Sequence, residues 1–317
     1  MSLPGKLLYQ LWHRPIGAVR TSLAAGGPLA QRRTEAGRRE MEAAARTLPL
    51  LPVRPGPPLT FHLLTGRRFW YQTAFCLWSL AHTTQRNLTP VIIDDGNLAP
   101  DQIESLRRLF PAMQVWTDAE NNARLDAHLP RRSFPSLRAR GDEFPLLRKL
   151  THPHVGLTGW KLLIDSDLLF FHRPALLVDW LDNPSVPLRA TDIMYTYGYP
   201  LALLNELAGQ PVPELVNTGL LGLRSEEIDW DKQEYWCRTL IERQGTHYYQ
   251  EQALVALMLA GRPNIAAPLS DYVTMPVPPE TQECRAVMHH YVANSKAAYF
   301  QHCWRTALAL GERRGES

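Results

Sequence analysis

The chain has 317 residues, a formal net charge of +3, and 45% hydrophobic against 21% charged residues. That length suits one large α/β domain, or a domain with a substantial appendage, and the near balance of charge leaves no nucleic-acid footprint on the whole chain. Four widely spaced cysteines (Cys76, Cys237, Cys284, Cys303) without a Cys-x-x-Cys pair, no secretory signal and no apolar run of membrane-spanning length together predict reduced thiols in a cytoplasm.

Residues 1–58 read as a basic helical appendage that ends in the Pro-rich linker Pro52 to Pro58. Lys6, Arg14, Arg20, Arg32, Arg33, Arg38, Arg39 and Arg46 face only three acids there, and Leu7, Leu8, Leu11 and Trp12 can share one apolar face. Two readings stay open. One is a segment held peripherally on the acidic inner leaflet of a membrane; the other is a solvated helix packed on the main domain.

From Leu59 the pattern alternates strand and helix. Leu59 to Leu64 reads as a strand turning at Thr65-Gly66, and Phe69 to Ala81 as an amphipathic helix. Val91 to Ile93 is a strand ending at Asp94-Asp95-Gly96, Asp101 to Phe110 a helix, Met113 to Trp116 a strand, and Phe144 to Leu150 helical. Such alternation implies a largely parallel sheet with helices on both faces, and ligands of such sheets bind beyond the carboxyl ends of the strands. Thr65, Asp94, Asp95, Asp165 and Asp167 all fall at such ends.

The run Trp160 to Phe171 carries Asp165-Ser-Asp167 between two apolar stretches. On extended chain those carboxylates lie about 7 Å apart, near enough to serve one hard divalent ion, Mn²⁺ or Mg²⁺, that holds a diphosphate. The burial of two charges in so apolar a segment asks for a counter-ion, although a solvated turn between strands would also accept the pair. A second Asp-x-Asp, Asp229-Trp-Asp231, precedes a polar helical pattern and reads as helix-start chemistry. Further on, Ala190 to Asp192 ends a short strand, Leu215 to Leu223 encloses Asn217-Thr-Gly219, and Tyr249 to Ala260 is a helix with Glu251 and Gln252 in its first turn. Ala286 to Tyr291 reads as a strand, so His289 and His290 point to opposite faces and at most one serves a site. A zinc site from Cys284, His289, His302 and Cys303 fits no common ligand spacing.

Asp165-Ser-Asp167, Asn217-Thr-Gly219, Glu251-Gln252 and His290-Tyr-Val-Ala-Asn-Ser-Lys296 follow one another in an order that resembles the nucleotide-diphospho-sugar transferases of GT-A fold. The pattern is most similar to the glycogenin and lipopolysaccharide-galactosyltransferase group, over roughly Leu59 to Trp304. The resemblance implies a mixed, mostly parallel α/β sheet flanked by helices; the domain is expected over residues 59–310, with 311–317 as a polar tail. It implies that Asp165 and Asp167 bind the metal and the donor's ribose and diphosphate, and that His290 completes the metal site. Lys296 would hold the diphosphate and Arg148 would lie near the phosphates, with Thr65, Asn217 and Gly219 completing the donor-binding set. In this chain Ala293 stands where the group has Gly, Glu251 where it has Asp, and the Pro-Trp that follows its Lys is missing.

Cleavage of a sugar–phosphate bond leaves positive charge on the anomeric carbon and negative charge on the diphosphate. A divalent ion, with Lys296 or Arg148, answers the second charge. Glu251, Gln252 and Asp192 are the candidates for the sugar side, as stabilisers of the cationic centre or as base. The expectation is a metal-dependent hexosyltransferase using a nucleotide sugar, with UDP-hexose as donor and a cell-envelope glycan, lipid or protein as acceptor, and the resemblance implies retention. A sugar-nucleotide nucleotidyltransferase would call for a Gly-rich basic signature after the first strand, of which Leu64-Thr-Gly-Arg-Arg68 is a poor version. A non-catalytic nucleotide-sugar-binding protein would bind UDP without turnover.

Overall fold

A computed structural model describes residues 27–315. The candidate apolar face of Leu7, Leu8, Leu11 and Trp12, and the choice between membrane and domain for it, lie outside the described residues.

Seven strands form the main sheet in the order β3-β2-β1-β4-β7-β6-β8. β1 (His62–Thr65), β2 (Val91–Asp94), β3 (Gln114–Trp116) and β4 (Trp160–Ile164) are parallel, and β7 (Val216–Arg224) runs antiparallel between β4 and β6 (Leu188–Thr191). β8 (Ile265–Ala266) adds parallel to β6. The chain therefore steps outward from β1 to β2 and β3, then restarts on the other side of β1 at β4. That reversal is the crevice where open α/β sheets bind ligands. A smaller sheet, β5-β10-β9, is built from β5 (Leu168–Phe170), β9 (Tyr272–Thr274) and β10 (Met288–His290). β10 pairs antiparallel to β5 with His290 opposite Leu168, so the chain brings its last strand alongside the residue after Asp167.

The helix expected over Phe69 to Ala81 is present but longer, and it is not amphipathic in its surroundings. The helix between β1 and β2, Trp70–Thr84, is buried at all fifteen positions, because an N-terminal helix and the C-terminal one cover the side that would otherwise face water. We number the helices in chain order: α1 Gly27–Ala45, α2 Trp70–Thr84, α3 Pro100–Leu109, α4 Asp118–His128, α5 Pro135–Glu143, α6 Arg148–Thr151 and α7 Ala175–Asp182. The rest are α8 Leu201–Ala208, α9 Trp230–Gln244, α10 Gln250–Leu259, α11 Glu280–Glu283, α12 Lys296–Ala298 and α13 Trp304–Gly315. α13 thus continues into the stretch expected as a polar tail.

α1 sends Met41 and Ala45 into the core and lies on the π-helical turn Tyr299–Cys303. Gly37 makes this possible: a methyl group there would overlap the Phe300 carbonyl. Gln301 donates to Thr34 Oγ1 at 2.8 Å, and Arg305 pairs with Glu40. The segment expected as helix over Phe144 to Leu150 is a 3₁₀ turn, Pro145–Leu147, running into α6. Asp229 does open a helix, accepting a bond from Lys232 N at 3.0 Å as the N-cap of α9.

Candidate functional site

β4 ends at Ile164, so Asp165 and Asp167 flank the turn that leads into β5. The Asp165 amide donates to Gly219 O at 2.8 Å, which fixes the turn to β7. β10 then delivers His290 onto the pair. Its Nε2 lies 3.4 Å from Asp167 Oδ1 and 3.6 Å from Asp165 Oδ2. One oxygen from each carboxylate and one histidine nitrogen all fall within 4.8 Å of one another. Among the described residues this is the one such group of His, Cys, Asp and Glu side chains.

Gly219 is what lets the histidine in. A Cβ there would stand 2.6 Å from His290 Nδ1 and still closer to Cε1. Neither ring nitrogen of His290 makes a hydrogen bond although the ring is 3% exposed, and such a buried orphan asks for a partner. A hard divalent cation, held by two carboxylates and one neutral imidazole nitrogen, is a partner these residues fit. His289 faces the other way and is engaged: Nε2 lies 2.6 Å from Glu280 Oε1 and Nδ1 2.8 Å from the Tyr291 hydroxyl.

Two lysines neutralise the carboxylates. Lys149 Nζ lies 2.7 Å from Asp165 Oδ1, and Lys296 Nζ 3.0 Å from Asp167 Oδ2. Burial alone would push the Asp167 carboxyl up, but Lys296 and His290 outweigh it and hold it well below the usual carboxylate range. The same balance acts on the lysines. Burial disfavours the Lys149 ammonium, yet Asp165 and Glu251 more than compensate, and its pKa is raised. Lys296 is raised likewise, through Asp167.

Beside this cluster lies a second one. Asp192, just past β6, accepts at Oδ2 from the Thr196 hydroxyl at 2.6 Å, Asn217 Nδ2 at 3.2 Å and Gln252 Nε2 at 3.3 Å. Asn217 Oδ1 accepts the Gly219 amide at 2.9 Å, which couples the two clusters. Glu251, buried in the first turn of α10, accepts the Thr218 hydroxyl at 2.8 Å with one oxygen and leaves the other without a partner. Burial raises its pKa; Lys149 and Thr218 only partly oppose this. The arrangement thus offers a cation site, two fixed ammonium groups for an anion, and next to them a carboxyl–amide surface with unused acceptor capacity.

Asp165, Asp167, His290, Lys296, Gly219, Asn217, Asp192, Gln252 and Glu251 are brought together. Thr65 closes β1, one strand over, with its hydroxyl accepting from Thr73 at 2.9 Å. Arg148 is turned away from the carboxylates: it donates to Asp95 O at 3.0 Å and lies 3.5 Å from Asp118. Its neighbour Lys149 occupies the position beside Asp165. Sequence reasoning overlooked Lys149, and the available signal was only a second basic residue, Arg148-Lys149, ahead of the strand that leads to Asp165.

Among solved structures, the galactosyltransferase LgtC with donor and acceptor sugar analogues superposes with a TM-score of 0.50 at 10% identity, over 78% of this chain and 95% of that one. The chain has a GT-A fold. Mouse xyloside xylosyltransferase 1 is also similar, with a TM-score of 0.49, 14% identity and coverage of 75% and 99%. The bifunctional glycosyltransferase WbbM gives 0.48 and 12% identity over 76% of this chain, which spans only 47% of that protein. No protein-family model matches the chain, and no curated protein is similar to it. The GT-A sheet reversal between β1 and β4 lies at the strand ends that carry Thr65 and Asp165. No described helix is long and apolar enough to cross a membrane.

Proposed function

We propose that the chain is a metal-dependent glycosyltransferase that moves a hexose from a nucleoside diphosphate sugar, UDP-hexose first among donors, to a cell-envelope glycan, lipid or protein acceptor. The observation that carries this reading is the buried His290, which makes no hydrogen bond from either nitrogen and turns Nε2 toward Asp165 and Asp167 in a space that Gly219 leaves open. Those three residues would hold Mn²⁺ or Mg²⁺, and the ion supplies Lewis acidity to a departing diphosphate. Lys296 and Lys149 add charge-assisted hydrogen bonds to the same oxygens once the carboxylates are engaged elsewhere.

The sugar then falls on the side of β7 and α10, toward Gln252, Asp192 and the free oxygen of Glu251. Gln252 is held by Thr196 and Asp192, so its carbonyl oxygen is oriented without being consumed. A buried amide or carboxyl on one face of the sugar is the arrangement that stabilises an oxocarbenium-like centre, and it supports retention. Arg148 acts on this site indirectly, by fixing the Asp95 loop.

The test is isothermal titration of UDP with and without Mn²⁺, together with hydrolysis of a panel of UDP-hexoses, on the wild-type chain and on D165A/D167A. Binding and slow donor hydrolysis that need Mn²⁺ and disappear in the variant are expected. Metal-independent binding, or none with any nucleotide, would overturn the reading.

A further inference from the structure

Five of the eleven exposed large hydrophobic side chains among the described residues are Ile193, Met194, Tyr195, Tyr248 and Tyr249. All five lie within three residues of Asp192 or Glu251. Exposed apolar surface gathered in one place marks a binding surface, and here it borders the functional cluster from two loops.

Those loops are built against each other. Gly198, at φ +72°, admits the His247 ring where any Cβ would overlap it. His247 meets Tyr199 at 6.0 Å and stacks on Tyr249 at 5.7 Å, and Tyr199 donates to Gly245 O at 3.1 Å. Tyr249 and Phe144 each meet Tyr248 in T-shaped contacts, at 5.1 and 5.3 Å. Tyr248 is therefore braced from two sides, has no ring stacked on it, and is 61% exposed. Tyr248 and Tyr249 immediately precede α10, whose Glu251 leaves one carboxylate oxygen without a partner and whose Gln252 is held by Asp192 and Thr196, so this rim adjoins the carboxyl–amide cluster.

We infer that the rim around Tyr248 is the acceptor subsite and that it takes a carbohydrate, with the C–H face of a pyranose ring laid on Tyr248. This rests on the glycosyltransferase reading above. The polar cluster beside the rim decides between a sugar and a lipid chain. An alkyl chain on this rim would give Asp192, Gln252 and the unpartnered oxygen of Glu251 nothing to bond, whereas a pyranose gives its apolar face to the ring and its hydroxyls to the polar groups. Ile193 and Met194, on the facing loop, would close over the far edge of the sugar and make the subsite selective for one orientation.

The experiment uses saturation-transfer NMR with methyl β-D-galactopyranoside, methyl β-D-glucopyranoside and octyl β-D-glucopyranoside, on the full chain with UDP and Mn²⁺ present. Saturation of the ring C–H protons of at least one methyl glycoside is expected. Affinity should fall at least fivefold in Y248A and hold within twofold in Y248F, which keeps the ring. Tyr235, 46% exposed on α9, provides the control: Y235A should bind as the wild type does. UDP titrations with Mn²⁺ on each variant keep the two readings apart. If UDP binds with Mn²⁺ but no methyl glycoside is saturated, or Y248A binds it unchanged, the subsite is wrong and the donor site stands. Saturation confined to the octyl chain likewise overturns the sugar in favour of an apolar aglycone. If UDP and Mn²⁺ do not bind at all, both readings fall together.

Discussion

Gly219 serves two partners at once: its carbonyl anchors the Asp165 amide and its bare Cα admits His290. Gly219→Ala is expected to displace the imidazole without unfolding β7, and to weaken Mn²⁺ binding more than about tenfold, as loss of a metal site's supporting shell does. Manganese titration beside a far-ultraviolet spectrum checks it; unchanged affinity would remove His290 from the site. Ala293 makes the opposite case. It sits at φ +47° with its methyl exposed, in a conformation that costs an L-residue about 1 kcal/mol or more. Ala293→Gly should therefore raise the urea midpoint by an amount worth about 1 kcal/mol. Ala293 stands where the group that the sequence resembles has Gly, and this chain holds a conformation that suits glycine without that residue. Lys149 was beyond sequence reasoning for a geometric reason. Adjacent residues on a helix point about 100° apart, and whether Arg148 or Lys149 faces Asp165 depends on the phase at which the 3₁₀ turn enters α6.

Elements with strong periodicity or dense apolar runs were legible: α2, α3, α10, β2 and β7 all fall within a few residues of their expected spans. α4 was not expected, although Thr117-x-x-Glu120 announces it. The Glu120 amide donates to Thr117 Oγ1, and Thr117 donates to the Glu120 carboxylate from both its amide and its hydroxyl. Only Asn121 and Leu125 of that helix are buried, so its sequence carries a start signal without an apolar stripe. A helix so lightly packed leans on its cap. Thr117→Ala is expected to cost about 1 kcal/mol, read as a lower urea midpoint and faster amide exchange confined to residues 118–121. The antiparallel course of β7 was likewise invisible, because a fully buried strand reads as a plain apolar run in either direction.

Across the whole molecule, three of the six buried histidines among the described residues carry strongly lowered pKa values. His62 is on β1, His152 follows α6, and His154 meets the Ser225 hydroxyl at 3.0 Å. Burial first, then nearby cations, depresses His62 to about 4 and His152 and His154 to about 3. The unfolded chain protonates them near 6.5, so each favours unfolding once pH falls below that value, and none affects stability above it. By pH 5 each should lower stability by about 2 kcal/mol, and urea midpoints measured between pH 7.5 and 5 should fall steadily only below about 6.5. A flat profile would mean that these rings gain protons freely in the folded state. The same scale shows how the site is closed. α1 grips the π-helical turn just beyond Lys296, through contacts joining residues more than 260 positions apart. During synthesis α1 leaves the ribosome more than 260 residues before these partners, and the surface they cover stays open until they follow. Lys296, which pairs with Asp167, is thus backed by a contact that spans most of the described fold, and a chain released short of Phe300 would leave that side of α1 open to quality control.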